Sequence, residues 1–322
     1  AAMLRRTAQA AGQSFQRYTA IQNAAPVAAV VGPSHVGALN PDGARHASNE
    51  AVKLRMKSVK NIMKITSAMK VVAAAKLNKV KQISEKSRYL PGPIFSLLGE
   101  TPNMVVPKTV IVPITSDRGL CGGINTTAVK YTRTLAKMID EPDTEYHLCL
   151  VGDKGKAQLS RDQPEKIVWF IGDLQKQGVT FSQCSLIAEE VLKTEYDSCK
   201  LVFNYFKSVI AFKPTVATIL SPESLERSMD GGGSLDSYEM EGPDRAEMLQ
   251  DLGEFQLAAT LYSAYLENAT SEQASRMSAM DNSSRNASDM LERLTLFYNR
   301  SRQAAITTEL IEIISGAAAL EG

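Results

Sequence analysis

The residues best suited to chemistry in this chain lie in one short run, Thr115-Ser-Asp-Arg-Gly-Leu-Cys-Gly-Gly-Ile-Asn125. It follows an apolar, β-branched segment and opens a helical pattern, so its backbone N–H groups could hold an anion at a helix start. Gly119, Gly122 and Gly123 serve a tight strand-to-helix turn equally well. Neither G-x-G-x-x-G nor G-x-x-x-x-G-K-[ST] occurs to favour the ligand reading. Gly152-Asp-Lys-Gly-Lys156 is a second, weaker turn of the same kind. Cys121 needs a base to become a nucleophile, and of the histidines His35, His46 and His147 two fall in the N-terminal segment. No carboxylate pair and no H-E-x-x-H spacing is present. Cys121, Cys149, Cys184 and Cys199 are scattered without a C-x-x-C pair, which suits structural thiols in a reducing interior. The pattern therefore predicts no catalytic residue, no metal site and no cofactor on this chain.

The elements around these residues are more informative than the residues themselves. From Asn49 to Tyr89 there is neither proline nor glycine, and Val52, Met56, Val59, Met63, Thr66, Ala73, Leu77 and Val80 follow 3/4 spacing with Lys70 as the polar interruption. This predicts a long amphipathic helix with a coiled-coil seam over residues 49–90. A second, overlapping stripe runs through Ile62, Met69, Ala73, Val80 and Ile83. Towards the C-terminus, Pro243 is the last proline and Gly253 the last glycine before Gly316, so residues 244–320 read as almost unbroken helix. At ~1.5 Å per residue such a helix spans about 115 Å. Its stripe is Met280, Ser283, Ala287, Met290, Leu294, Phe297, Ser301 and Ala304. A helix of that length cannot be buried in a domain of this size and must project towards partners outside the chain.

Between the helices, residues 91–220 carry short apolar runs at Thr109–Ile114, Tyr146–Val151, Ile167–Phe170, Leu201–Tyr205 and Val216–Leu220. Helical patterns at Ile124–Met138 and Phe181–Thr194 fall between them. The alternation predicts an α/β domain with a small, mostly parallel sheet covered on both faces. Residues 221–245, with Asp230-Gly-Gly-Gly-Ser and seven acids, read as an acidic, glycine-rich surface loop. The fold class is thus α/β, with long helices over residues 49–90 and 246–322 flanking the small sheet domain.

Residues 1–48 differ in composition, with thirteen alanines, Arg5, Arg6, Arg17 and Arg45, and Asp42 as the one acid. This resembles an organelle transit peptide; a flexible tail has the same composition. The start at Ala-Ala-Met suggests processing upstream or numbering from a mature end, and the segment is read as a retained extension resting on a partner. No apolar run reaches the ~18 residues of a membrane helix. The net charge of +1 excludes a global field for nucleic acid. Locally, residues 51–90 hold eleven Lys or Arg against Glu85 alone. Such a face is either simply solvated or matched to an anionic surface, phosphate backbone or acidic protein. The lack of interleaved aromatics and the occupied apolar stripe argue against nucleic acid. A nucleic-acid scaffold and a small-molecule enzyme built on the Ser116–Asn125 loop are the rival readings.

Four blocks resemble the ATP synthase gamma subunit family, in order and over about residues 50–320. They are Leu54–Leu77 (LRMKSVKNIMKITSAMKVVAAAKL), Ser116–Thr126 (SDRGLCGGINT), Arg276–Asn282 (RMSAMDN) and Tyr298–Ala319 (YNRSRQAAITTELIEIISGAAA). The resemblance implies that the two long helices wind into a long antiparallel coiled coil, and that this is the non-catalytic central rotor shaft of a proton-translocating ATP synthase, threading a ring of alternating catalytic (beta) and non-catalytic (alpha) subunits. ATP, ADP and Mg would be bound by those partners. Delta and epsilon central-stalk subunits and a membrane c-ring would meet the foot, with neither nucleic acid nor membrane insertion involved. Position by position, it implies contacts with catalytic subunits at Met69, Lys70, Arg276, Arg302, Gln303, Thr307 and Glu309. Ala317, Ala318, Ala319 and Leu320 would form a slim tip turning in an apolar sleeve. Plastid members carry an inserted Cys-containing redox segment that has no counterpart here. With the transit-like leader, that points to the matrix side of the mitochondrial inner membrane.

Overall fold

The computed structural model describes residues 49–98, 106–140, 142, 144–174, 178–229 and 244–321. The predicted extension 1–48 and most of the acidic loop 221–245, from 230 to 243, lie outside them. The chain divides after Ala51, and the architecture below is that of the unit Val52–Gly322.

Helix α1, Asn49–Ser87, ends where Pro91 and Pro93 remove backbone donors. A short α2, Gly92–Leu98, leads towards the sheet. Strands β1 (Lys108–Pro113), β2 (Glu145–Val151), β3 (Ile167–Ile171), β4 (Ser198–Phe206) and β5 (Phe212–Leu220) form one sheet in the order β3-β2-β1-β4-β5. Strands β1, β2, β3 and β4 pair in parallel, whereas β5 pairs antiparallel with β4. Pro214 is tolerated because β5 is an edge strand. Helices α3 (Ile124–Ile139), α4 (Asp153–Leu159) and α5 (Phe181–Leu192) connect the parallel strands. The predicted small, mostly parallel sheet is therefore present, with β1 shifted one residue earlier and the other strands extended by one to four residues.

Alternation along the strands divides the core between two faces. Val110, Val112, Cys149, Cys199, Leu201 and Phe203 pack on α5 and on the C-terminal helix through Ile187, Val191, Leu257 and Leu261. Ile111, Leu148, Leu150 and Val202 pack on α3 and α4 through Val129, Ala136 and Leu159. Two elements depart from expectation. Asp153–Leu159 is helical, and Pro222–Met229, placed in the surface loop by its composition, is the helix α6. Leu225 of α6 joins Ile94, Leu98, Leu220 and Leu249 in a satellite core, and that burial outweighs its polar composition.

Helix α7, Arg245–Glu321, is 77 residues long and continuous, as predicted. Over residues 256–274 it is buried on nearly every side, between the sheet and α1. Further on only Met280 and Ala287 are buried, within a stripe that is otherwise half-buried. That stripe is Met280, Ser284, Ala287, Leu291, Leu294, Tyr298, Ser301 and Ala305. The expected Met290 and Phe297 are 47% and 53% exposed and Ala304 is exposed, so these three seam positions lie one residue later than predicted, while the expected Ser283 is half-buried beside Ser284. Apolar neighbours made both phases plausible, and pairing with α1 selects one. The α1 seam follows the predicted phase, with Val52, Val59, Thr66, Ala73 and Leu77 buried, and continues to Ser84 and Ser87. Ile62 and Ile83 of the second stripe face solvent.

Candidate functional site: the shaft and its root

Cross-helix contacts define the coil. Lys70 Nζ donates to Asp281 Oδ1 at 2.6 Å, Leu77 packs with Ala274, and Ser84 Oγ donates to Glu267 Oε1 at 2.8 Å. Successive pairs step by seven residues forward on α1 and seven backward on α7, which is an antiparallel heptad register. Extended along α1, this register brings Val52 level with Tyr298 and Asn299. The last stretch of α7, from Arg302 onward, then runs past the paired region as a single helix.

That stretch holds four of the residues assigned by resemblance. Arg302, Gln303, Thr307 and Glu309 are all exposed, and the Thr307 hydroxyl donates to the Gln303 carbonyl at 3.0 Å. From Ile306 to Leu320 every side chain is exposed, including Ile306, Leu310, Ile311, Ile313 and Ile314. An apolar helix exposed all round needs a surface beyond the described residues to cover it. Ala317, Ala318, Ala319 and Leu320 narrow its end. Along α1, Lys57, Lys60, Lys64, Lys76 and Lys79 point outward with no acid beside them among the described residues. Among the described residues the basic face is therefore unneutralised.

The structure does not place all seven predicted contact residues on one open surface. Met69 lies beside the seam and Lys70 within it, where Asp281 engages it. Arg276 is inward-facing: its side chain is 12% exposed and meets the buried Glu272 at 2.5 Å. The same guanidinium approaches the carbonyls of Arg118 and Gly119 at 3.5 Å. Arg276 therefore ties α7 to the loop after β1.

That loop is closed on itself. Asn125 accepts from the Ser116 N–H at 3.0 Å and donates to Ser116 Oγ at 2.7 Å and Cys121 Sγ at 3.2 Å. Ser116 Oγ donates to the Arg118 carbonyl, and Ser275 of α7 donates to the Cys121 carbonyl at 2.6 Å. Gly122 has φ of +63°, and a Cβ there would stand 3.0 Å from Ser275 Oγ. The glycine thus serves the turn and the close approach of α7. Cys121 touches a hydroxyl, an amide and a carbonyl, none of them a general base. In the weaker Gly152–Lys156 turn, Gly152 has φ of +100° and a Cβ would lie 2.3 Å from the Thr115 carbonyl oxygen. Both turns have packing reasons for their glycines.

Sequence reasoning missed the root of the shaft. Buried Glu267 accepts from Ser84 Oγ, from Arg88 Nε at 2.6 Å and Nη2 at 3.1 Å, and from the Phe206 N–H at 2.9 Å. Asn204 donates to Asn268 at 2.9 Å, and Ser271 donates to the Asn204 carbonyl at 2.8 Å. The signal was present as polar residues inside a helix predicted to pack, but their partners are distant in sequence.

The fold and this site define a class: a two-helix coiled-coil shaft, one helix overrunning the other, rooted in a five-stranded α/β foot. A family model described as ATP synthase matches residues 48–320. The mitochondrial ATP synthase subunit gamma of Ipomoea batatas is 54% identical over 285 residues, covering 87% of this chain and 87% of its own. Among solved structures, a chain of the Tetrahymena thermophila mitochondrial ATP synthase central stalk and c-ring aligns with a TM-score of 0.58 at 30% identity, covering 68% of this chain and 98% of that one. A chain of the Euglena gracilis mitochondrial ATP synthase aligns with a TM-score of 0.71 at 20% identity, covering 84% and 94%, which bears on the fold alone. The chain belongs to the ATP synthase gamma family.

Proposed function

We propose that this chain is the central rotor shaft of a mitochondrial ATP synthase and that it does no chemistry of its own. The observation that carries this is the single helix beyond Arg302, apolar and exposed on all sides, which needs a surrounding apolar sleeve. Alternating beta and alpha subunits form that sleeve and hold ATP, ADP and Mg, while Ala317–Leu320 turn at its end. Arg302, Gln303, Thr307 and Glu309 make and release polar contacts with the catalytic subunits as the shaft turns. The basic face of α1 around Met69 and Lys70 meets an acidic segment of a catalytic subunit. Arg276 joins this set in rotational states where its bond to Glu272 is exchanged. The foot is met by the delta and epsilon subunits and the c-ring, on the matrix side of the inner membrane. No helix among the described residues is long and apolar enough to cross a membrane.

An asymmetric shaft in a three-fold head makes different contacts with each catalytic subunit. Each rotational state then favours a different conformation of each site, by the differential contact energies. Electron cryo-microscopy of the complex purified in mild detergent tests this. Density for residues 302–320 as an off-centre helix within a pseudo-three-fold ring is the expected result. A chain that purifies without ATP synthase subunits, or lies on nucleic acid with its helices bare, would overturn the reading.

A further inference from the structure

A shaft can deliver torque only if its two helices and its foot turn together, and one small cluster joins all three. The carboxylate of Glu267 on α7 is almost wholly buried, yet it accepts hydrogen bonds from α1 and from the sheet. Arg88, just past the end of α1, completes the cluster. Its Nη2 also donates to the Phe206 carbonyl at 3.0 Å, and its guanidinium lies 4.6 Å from the centre of the Tyr205 ring. Both backbone polar groups of Phe206, the last residue of β4, are thus taken by these two side chains.

The remaining candidates at the root are weaker. Leu77, Ala274, Met277 and Phe206 make an apolar contact that can slide by small steps without loss. The bonds of Ser275 and Arg276 reach the loop after β1 but not α1. Among the described residues, the Glu267–Arg88 pair alone bonds α1, α7 and the end of β4 at once. Charge-assisted, bidentate hydrogen bonds are directional and short, so they resist shear where apolar contact does not. A buried carboxylate also cannot lose its partners without being left unpaired in a low-dielectric site.

Resting on the assignment as a rotor shaft, we propose that Glu267 and Arg88 are the coupling pin of the rotor, the positioning residues that prevent the foot from turning or sliding against the coiled coil under load. They touch no nucleotide and act through the geometry of the shaft. Loss of the pin lets the shaft slip, so that ATP is hydrolysed in the head without a full step reaching the membrane ring. Chemistry and transport then separate, which a residue needed only for folding would not produce.

The test uses the whole complex reconstituted in vesicles, with ATP hydrolysis and proton uptake measured in the same sample. Variants are Arg88→Lys, which keeps the charge but loses the fork and the Phe206 contact, and Glu267→Gln, which keeps the shape. Lys193→Ala, at an exposed ion pair on the foot, is the control. The expected result is hydrolysis near the parent rate with protons moved per ATP reduced, the disengaged root becoming roughly tenfold more populated for each charge-assisted bond lost. The deficit should deepen as the opposing proton gradient is raised, because slip depends on load. An unchanged ratio in assembled Arg88→Lys complexes overturns the proposal, as does a parallel fall of both rates. If Glu267→Gln fails to assemble, the Arg88→Lys ratio decides. Absence of even the parent chain from the complex would instead sink the rotor assignment.

Discussion

Lys70 Nζ lies 2.6 Å from Asp281 Oδ1, a charged pair set into a seam whose neighbouring layers on α1 are Thr66 and Ala73. A polar layer of this kind is satisfied in one register only, so it specifies how the helices align more than how tightly they bind. The Lys70 hydrogen bond, with Arg285 adding to it, holds the Asp281 carboxyl below the usual carboxylate range. A carboxylate with a lowered folded-state pKa stabilises the fold above its unfolded value of about 3.9 and loses that contribution as the pH falls through the lowered value. Asp281→Asn should therefore melt below the parent at neutral pH, with the gap closing in acid below about pH 4. A gap independent of pH would show that the pair adds no charge-linked stability.

The seam of α7 makes a sharp contrast between neighbours. Leu294 lies in the stripe that faces α1, whereas Leu296 is 56% exposed. Leu294→Ala should destabilise by about 1–2 kcal/mol and Leu296→Ala by less than about 0.5 kcal/mol in thermal unfolding. Equal losses would mean that the helices pair in the other phase.

Two glycines should respond in opposite directions. Gly152→Ala forces a Cβ against the Thr115 carbonyl at a φ of +100° and should lose about 2–3 kcal/mol or more. Gly316 lies inside α7 with nothing within 4 Å of a built Cβ, so Gly316→Ala should raise helicity and stabilise the isolated tip by about 0.5–1 kcal/mol. Circular dichroism through a thermal ramp reads both. A stable Gly152→Ala variant would show that the β2–α4 turn can be rebuilt.

Burial pushes the Cys149 and Cys184 thiols up to about 12 and raises Cys199 as well. At pH 8 the Cys149 and Cys184 thiolate populations fall roughly a thousandfold below that of a free cysteine, and the Cys199 population falls as well. The native protein should therefore leave these three unmodified by a maleimide at pH 8, and all should react once it is unfolded in guanidinium. Mass spectrometry after a timed pulse distinguishes the cases. Rapid native labelling of Cys149 or Cys199 would mean that the sheet opens far more readily than its packing implies.

Much of the architecture was legible in the chain because its determinants are local. The absence of glycine and proline from Asn49 to Tyr89, together with the 3/4 spacing from Val52 to Val80, was enough to place α1 and its seam, Lys70 included. β-branched runs between turn residues marked all five strands, and the neighbours Met290/Leu291 and Phe297/Tyr298 show where such local signals stop. Both members of each pair are apolar, so periodicity alone could not choose the phase of α7. Burial against α1 chose it.

The chain alone settled that two long helices must flank a small α/β domain and that one of them must leave the domain for partners. Spacing, propensity and helix rise along one segment are sufficient for both conclusions. Tertiary structure decided which polar residues hold the shaft to its foot. Glu267 was one acid among many on a long helix until folding set it beside Ser84, Arg88 and Phe206. Arg276, assigned a partner contact by resemblance, is set by the fold against Glu272 and the loop after β1. The strength of a buried charge's interactions depends on its partners and on the exclusion of water, and sequence spacing encodes neither.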